Sequence, residues 1–193
     1  MKIVKYPDPL LNQVAKEVTT FDERLEKFVA DMFIKMYESS GVGLAAPQVG
    51  VSKRIFVINV NPSEEDDAIR AKTELVFINP VLSNFEGEQR EEEGCLSIPG
   101  IRHEVNRAMK LKVVAQNVKG EEFTLEAEEY LAEVIQHEFD HLDGILFIQR
   151  LSESEQISIQ NQLKHLRNVY QKDKKKKEKE NLRFLKKQKK FKR

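Results

Sequence analysis

At 193 residues the chain suits one globular domain with a modest addition, and it is long enough to remove roughly 70% of its unfolded surface from water without disulfide or metal staples. Its single cysteine, Cys95, excludes an intramolecular disulfide. With no run of 18 apolar residues and no charged-then-apolar leader, the expectation is a cytoplasmic protein that makes no use of a membrane. The formal charge of zero hides an asymmetry: residues 172–193 hold 13 Lys/Arg against 3 Asp/Glu, which leaves 19 against 29 in residues 1–171. An acidic body with a basic tail points to a polyanionic partner for the tail.

In chain order, Thr20 followed by Glu23 reads as a capping box opening a helix. Its apolar positions Leu25, Phe28, Val29, Met32, Phe33 and Met36 recur at spacings of three and four and stop before Gly41. Two β-rich runs, IFVINV and LVFINPVL, flank a polar segment over 63–74 that reads as a surface loop. Strands follow over 109–115 and 123–127, joined by turn residues from Asn117 to Gly120. No helix separates these strands in a βαβ rhythm, so the expected class is α+β with antiparallel hairpins. A helix is expected over 128–142, and a second capping box, Ser152 with Glu155, opens one that could run from 152 to 193, about 60 Å at 1.5 Å per residue. The organisation expected is a single catalytic domain over 1–171 and a basic tail over 172–193 that extends the last helix or is a disordered arm.

Three segments carry chemistry. His137-Glu138-Phe139-Asp140-His141 is an HExxH pattern on the 128–142 helix, where 100° per residue puts the two histidines about 40° apart on one face, within reach of one metal ion. Glu138 falls beside that face, as a base acting on a metal-bound water must. Leu131, Ile135 and Leu142 occupy the adjoining flank, while Glu133, Gln136 and Asp140 point the other way. Position 147 is Phe where metzincins need a third histidine, which excludes that subclass. The second segment is Glu93-Gly94-Cys95-Leu96-Ser97, where Gly94 allows close backbone approach and Cys95 is read three ways: a small buried hydrophobe, a nucleophile paired with histidine, or the third metal ligand. The third runs from Gly41 through Val42 and Gly43 to Gln48. It matches neither phosphate-loop pattern, so no nucleotide cofactor is expected, and its glycines could let a peptide lie along the backbone with Gln48 donating to a developing oxyanion.

Taken in order, GVGLAAPQ, EGCLS and QHEFDHLDG resemble the three signature motifs of the peptide deformylase family, a likeness covering most of residues 1–170. The resemblance implies antiparallel sheets packed around the HExxH helix, hydrolysis of the formyl group from formyl-methionyl nascent peptides with release of formate, and a metal held by Cys95, His137 and His141. In that family the ion is usually Fe2+, although a Cys/His2 set suits Zn2+, Ni2+ or Co2+ equally. Glu138 would act as base and acid, with Gln48 and the backbone N–H of Leu96 facing the formyl oxygen. For substrate binding the candidates are Val42, Tyr130 and Val134 around the methionine side chain, Gly43 and Gly94 through their backbone, and Arg102 further along. The tail departs from the familiar pattern, and ribosomal RNA is the polyanion that suits an enzyme acting on emerging chains. The competing readings are a peptidase of the HExxH type, which would take a third ligand from a downstream Glu or His whereas His165 lies in the next helix among apolar neighbours, and a non-enzymatic ribosome-binding module, against which Glu138 beside two histidines argues.

Overall fold

The computed structural model describes residues 1–61 and 71–191, with side chains at 71, 182 and 184–191 left aside. Most of the 63–74 loop expectation therefore lies outside the described residues. Two antiparallel sheets form the β layer. The larger has strands β1 (Gly43–Ala45), β2 (Ile55–Ile58), β3 (Leu75–Glu86), β6 (Lys110–Gln116) and β7 (Glu122–Glu128), in the order β1-β2-β3-β6-β7. The smaller is a hairpin of β4 (Gln89–Cys95) and β5 (Ile98–Arg107). Helix α1 (Glu23–Glu38) and helix α2 (Glu129–Leu142) lie on the larger sheet, and two further helices, α3 (Glu153–Ser158) and α4 (Gln160–Phe191), close the chain. Among the described residues no helix is long and apolar enough to cross a membrane.

Strand β2 shows how the larger sheet is held. Its four residues are all buried because both sheet faces are covered, and the period of two sends alternate side chains to opposite layers. Phe56 and Ile58 join the cluster that includes Ala132 and Ile135 of α2, while Ile55 and Val57 join the one that includes Met32 and Met36 of α1. Phe56 and Phe77 are register partners, stacked at 4.7 Å between ring centroids. A third cluster, with Ile98, Ile101 and Val105 on Leu146, Phe147 and Leu163, seats the β4–β5 hairpin.

Several expectations change in detail. Helix α1 is capped by Asp22, whose side chain accepts the Leu25 N–H at 3.0 Å, and not by Thr20; Glu23 is already its first helical residue. Of the β4–β5 hairpin, sequence reading expects only an extended, sheltered strand end at Ile98 and Pro99 beside Cys95. Opposite Gly94 stands Arg102, but opposite Cys95 stands Ile98, so β5 bulges between them, with Gly100 at φ +77°. The bulge puts the buried Ile98, Ile101 and Val105 at spacings of three and four, a helical period on a strand. The expected helix from 152 breaks at the buried Ile159, leaving α3 with its Ser152–Glu155 capping box and a separate α4 of 32 residues, about 48 Å long at 1.5 Å per residue. Helix α2 stops at Gly144, whose φ is +71° and where a Cβ would lie 2.7 Å from the Asn12 carbonyl carbon.

Candidate metal centre

Strand β4 delivers Cys95 as its last residue, and one turn of α2 delivers His137 and His141. One donor atom from each lies within 4.8 Å of the other two. Cys95 Sγ stands 3.3 Å from His141 Nε2, and the two imidazoles meet nearly edge to face at 80° with centroids 5.2 Å apart. The sulfur also receives the Ser97 backbone N–H and the Gln48 side-chain amide, each at 3.4 Å. Gln48 sits in the 3-10 turn Ala46–Val49, and its Oε1 accepts the Ala45 N–H at 2.8 Å, which aims Nε2 at the sulfur.

The electrostatics suit a cation. Burial alone would raise the Cys95 pKa, but the two imidazoles hold the thiol well below its ordinary value, so the sulfur is poised as thiolate. Burial likewise disfavours a charged His137, yet its bonds to Cys95 and Glu93 keep its pKa well above the ordinary one. His137 Nδ1 donates to Glu93 Oε2 at 2.7 Å, which directs Nε2 towards Cys95 and His141. A thiolate and two imidazoles, one of them fixed by a carboxylate, are a donor set that fits a divalent transition metal with a position left open.

Glu93 is in turn gripped by Arg107, with Nε on Oε1 at 2.6 Å and Nη2 on Oε2 at 3.0 Å. Burial would raise the Glu93 pKa, but His137 and Arg107 bring it down to about 2. Arg107 Nη1 reaches Asp140 Oδ2 at 2.7 Å, and Arg150 closes the row with Nε on the same oxygen at 3.1 Å. Here an expectation is corrected: Glu133, Gln136 and Asp140, read as facing away from the core, are all buried. The β4–β5 hairpin covers that side of α2, and Arg107 brings it a cation. Gln136 is satisfied by both backbone groups of Ala108, at 3.0 and 2.9 Å. Sequence reading missed the role of Glu93 and Arg107, since no local spacing links residues 14 apart whose meeting depends on strand pairing.

Glu138 is 4% exposed, and burial, the leading influence, pushes its carboxyl up to about 7 despite the two imidazoles. Among the described residues its Oε2 has no hydrogen-bond partner, which leaves that oxygen open to a reacting group. Gly43 makes room for it, because a Cβ there would stand 2.5 Å from Glu138 Oε1. One cavity of about 480 Å³ is lined by Val42, Gly43, Gln48, Gly94, Cys95, Leu96, Arg102, Tyr130, Val134, His137 and Glu138; the deeply buried His141 stands behind it. Arg102 is tied to Glu92 through Nε at 2.6 Å, and Lys5 donates to the carbonyl of Leu96, a residue of the cavity lining. His165 lies exposed on α4, outside the Cys95–His137–His141 group.

The family model described as polypeptide deformylase matches residues 1–157. A peptide deformylase of Acidobacterium capsulatum is 54% identical over 150 residues, covering 78% of this chain and 85% of the relative. One from Neisseria gonorrhoeae is 50% identical over 164 residues, covering 85% and 94%. In three dimensions, a crystal structure of peptide deformylase from Plasmodium falciparum superposes with a TM-score of 0.83 at 38% identity, covering 88% of this chain and 97% of that one. The resemblance carried by the three motifs thus extends over sequence and fold, and the chain belongs to the polypeptide deformylase family of enzymes.

Proposed function

We propose that this chain hydrolyses the formyl group from the N-terminal formyl-methionine of nascent polypeptides, releasing formate and a free amine. The observation that carries this reading is the convergence of Cys95, His137 and His141 donor atoms within 4.8 Å, with Glu138 beside them. Family membership implies a divalent metal, and we assign Fe2+ to the three donors. Bound there, the ion would supply Lewis acidity, making the proton of the attacking water easier to remove at neutral pH.

Glu138 takes a proton from the attacking water and later delivers one to the departing amine nitrogen, a task suited to a carboxyl whose pKa lies near neutrality. Gln48 Nε2 and the Leu96 backbone N–H face the formyl oxygen as it becomes negative. Strand β1 is an edge of its sheet, so an extended peptide can add along Gly43 through main-chain hydrogen bonds, while Gly94 keeps the opposite wall low. Val42, Tyr130 and Val134 receive the methionine side chain, and Arg102 stands further along the peptide. Walls close to the donors admit hydrogen on the acyl carbon and exclude bulkier acyl groups.

In this reading residues 1–171 form the catalytic domain in the cytoplasm, with the sheets arranged about the HExxH helix, and the lysine-rich part of the long last helix is an arm for ribosomal RNA. Anaerobic metal analysis paired with formate release from a formyl-methionyl peptide tests the activity. Glu138→Ala should keep the metal and lose formate release; full turnover in that variant, or new internal termini in place of formate, would overturn the reading. Truncation after residue 171 should abolish salt-sensitive ribosome co-sedimentation.

A further inference from the structure

Cys95 pairs with Ile98, so the turn that joins β4 to β5 consists of Leu96 and Ser97 alone. Its backbone groups lie beyond the strand ladder and need partners from elsewhere. Three of them are held: the Ser97 N–H donates to Cys95 Sγ, the Ser97 carbonyl accepts the Tyr6 N–H at 2.9 Å, and the Leu96 carbonyl accepts the Lys5 ammonium. None of these bonds uses the Leu96 N–H, the donor proposed for the formyl oxygen. The same N-terminal arm reaches the other proposed donor, since the Val4 N–H bonds the Gln48 carbonyl at 2.8 Å. Residues 4–6 thus bridge the two segments that supply Gln48 and Leu96, yet they do not line the cavity themselves. The arm is pinned from behind by α4. Arg167 donates through Nε to the Tyr6 hydroxyl at 2.9 Å and lies over its ring at 5.5 Å, and Tyr170 donates to Asp8 at 3.0 Å. Val4 and Tyr6 also pack on the cluster that contains Cys95, Ile98 and Leu163. Lys5 is an exposed residue whose ammonium is nonetheless drawn partly out of water; this burial lowers its pKa, and the Cys95 sulfur opposes the shift.

We propose that Lys5 is a positioning residue for deformylation: bonded to the Leu96 carbonyl, it holds the Leu96–Ser97 turn so that the Leu96 N–H stays aimed at the developing oxyanion. This rests on the deformylase reading and deepens it. An oxyanion donor is effective when it needs no reorganisation at the moment of reaction. A two-residue turn anchored at one carbonyl can still rock about that anchor, and a second anchor on the neighbouring carbonyl stops it. Tyr6 supplies the first through its backbone and Lys5 the second through its side chain. The Leu96 carbonyl and the Ser97 N–H belong to one peptide group, so the cation at its oxygen also strengthens the N–H that reaches Cys95 Sγ.

The test measures kcat per bound metal ion and KM for formate release from a formyl-methionyl peptide, with Lys5→Met and Lys5→Arg beside the unmodified enzyme. Lys5→Met should lower kcat about tenfold, short of the roughly 10²- to 10³-fold that follows outright loss of an oxyanion donor, while KM moves by less than about twofold. Lys5→Arg keeps a cationic donor for the carbonyl and should recover most of kcat. In the Zn2+-loaded proteins, amide hydrogen exchange should quicken in Lys5→Met at Leu96 and Ser97 and stay unchanged at Val57 and Val113 in the larger sheet. An unchanged kcat in Lys5→Met, a loss expressed as raised KM, or faster exchange spread over the whole fold would overturn the proposal. Should Lys5→Met fail to fold, Arg167→Met releases the arm at Tyr6 from outside the cavity: a fall in kcat at constant KM supports the proposal and an unchanged kcat overturns it. Formate absent from the unmodified enzyme would instead overturn the deformylase reading and this inference with it.

Discussion

Helices α2 and α4 obey the same local rules yet lead opposite lives. Of the 14 residues of α2, ten are buried, and they include Glu133, Gln136, His137, Glu138, Asp140 and His141. Helix α4 has 32 residues, and beyond Leu163 and the partly buried Leu166 and Tyr170 its described side chains stand in water. Burial makes each polar group of α2 answerable to a partner, so charge there is organised into chemistry. On α4 the described lysines are solvated one by one, and their effect is collective and long-ranged.

The largest break in this contrast is expected at the cation that serves α2 from β5. Arg107→Met leaves Glu93 and Asp140 without their shared partner and should destabilise the fold by about 3–5 kcal/mol, read from urea unfolding. His137 loses its anchored carboxylate in the same variant, so metal release to a chelator should quicken by about 10- to 100-fold. Next comes the neighbouring wall: Gly43→Ala drives a methyl group onto Glu138, and kcat should fall about 10²-fold with metal content retained, since a displacement of about 1 Å at a reacting group has that effect.

A smaller effect is expected from pH. The folded pKa of Glu133, about 7, lies above the ordinary 4.5, so between those values the unfolded chain has lost a proton that the folded one keeps. Stability contributed by this group is therefore present below about pH 4.5 and is lost as pH rises through 7. Glu133→Gln should raise stability at pH 8 relative to pH 5 by on the order of 1 kcal/mol, less than the bare shift because water in the cavity screens the charge. Urea melts at the two pH values check this, and a parallel response in both proteins would exclude Glu133 as the source. The smallest effect belongs to α4: replacing Lys175, Lys176 and Lys177 by Gln should move the unfolding free energy by no more than about 0.5 kcal/mol while reducing the salt dependence of any ribosome binding.

Much of this architecture was legible in the chain itself. The HExxH spacing is a helical property, and it aligns His137 and His141 whatever lies around them. Strands β2, β3, β6 and β7 announce themselves through apolar runs and turn residues, and the Ser152–Glu155 capping box marks the start of α3. These signals are local, written within one or two turns or one hairpin. The β4–β5 hairpin was legible only as an extended end at Ile98 and Pro99, because its bulge at Gly100 gives a strand the apolar period of a helix and its surface is lined with Glu91, Glu92 and Arg102.

What the sequence by itself determined, then, is the set of chemical groups: two imidazoles and a carboxylate on one stretch of helix, a lone thiol after a glycine, and a tail whose charge opposes that of the body. Only the tertiary structure decided which way the polar side of α2 faces. Pairing β4 with β5 carries Glu93, Cys95 and Arg107 across it, so Asp140 becomes a buried ion-pair partner and Glu133 a wall of the cavity. The reason is physical: helix periodicity sorts residues onto faces, but whether a face meets water or another layer depends on contacts between segments far apart in the chain.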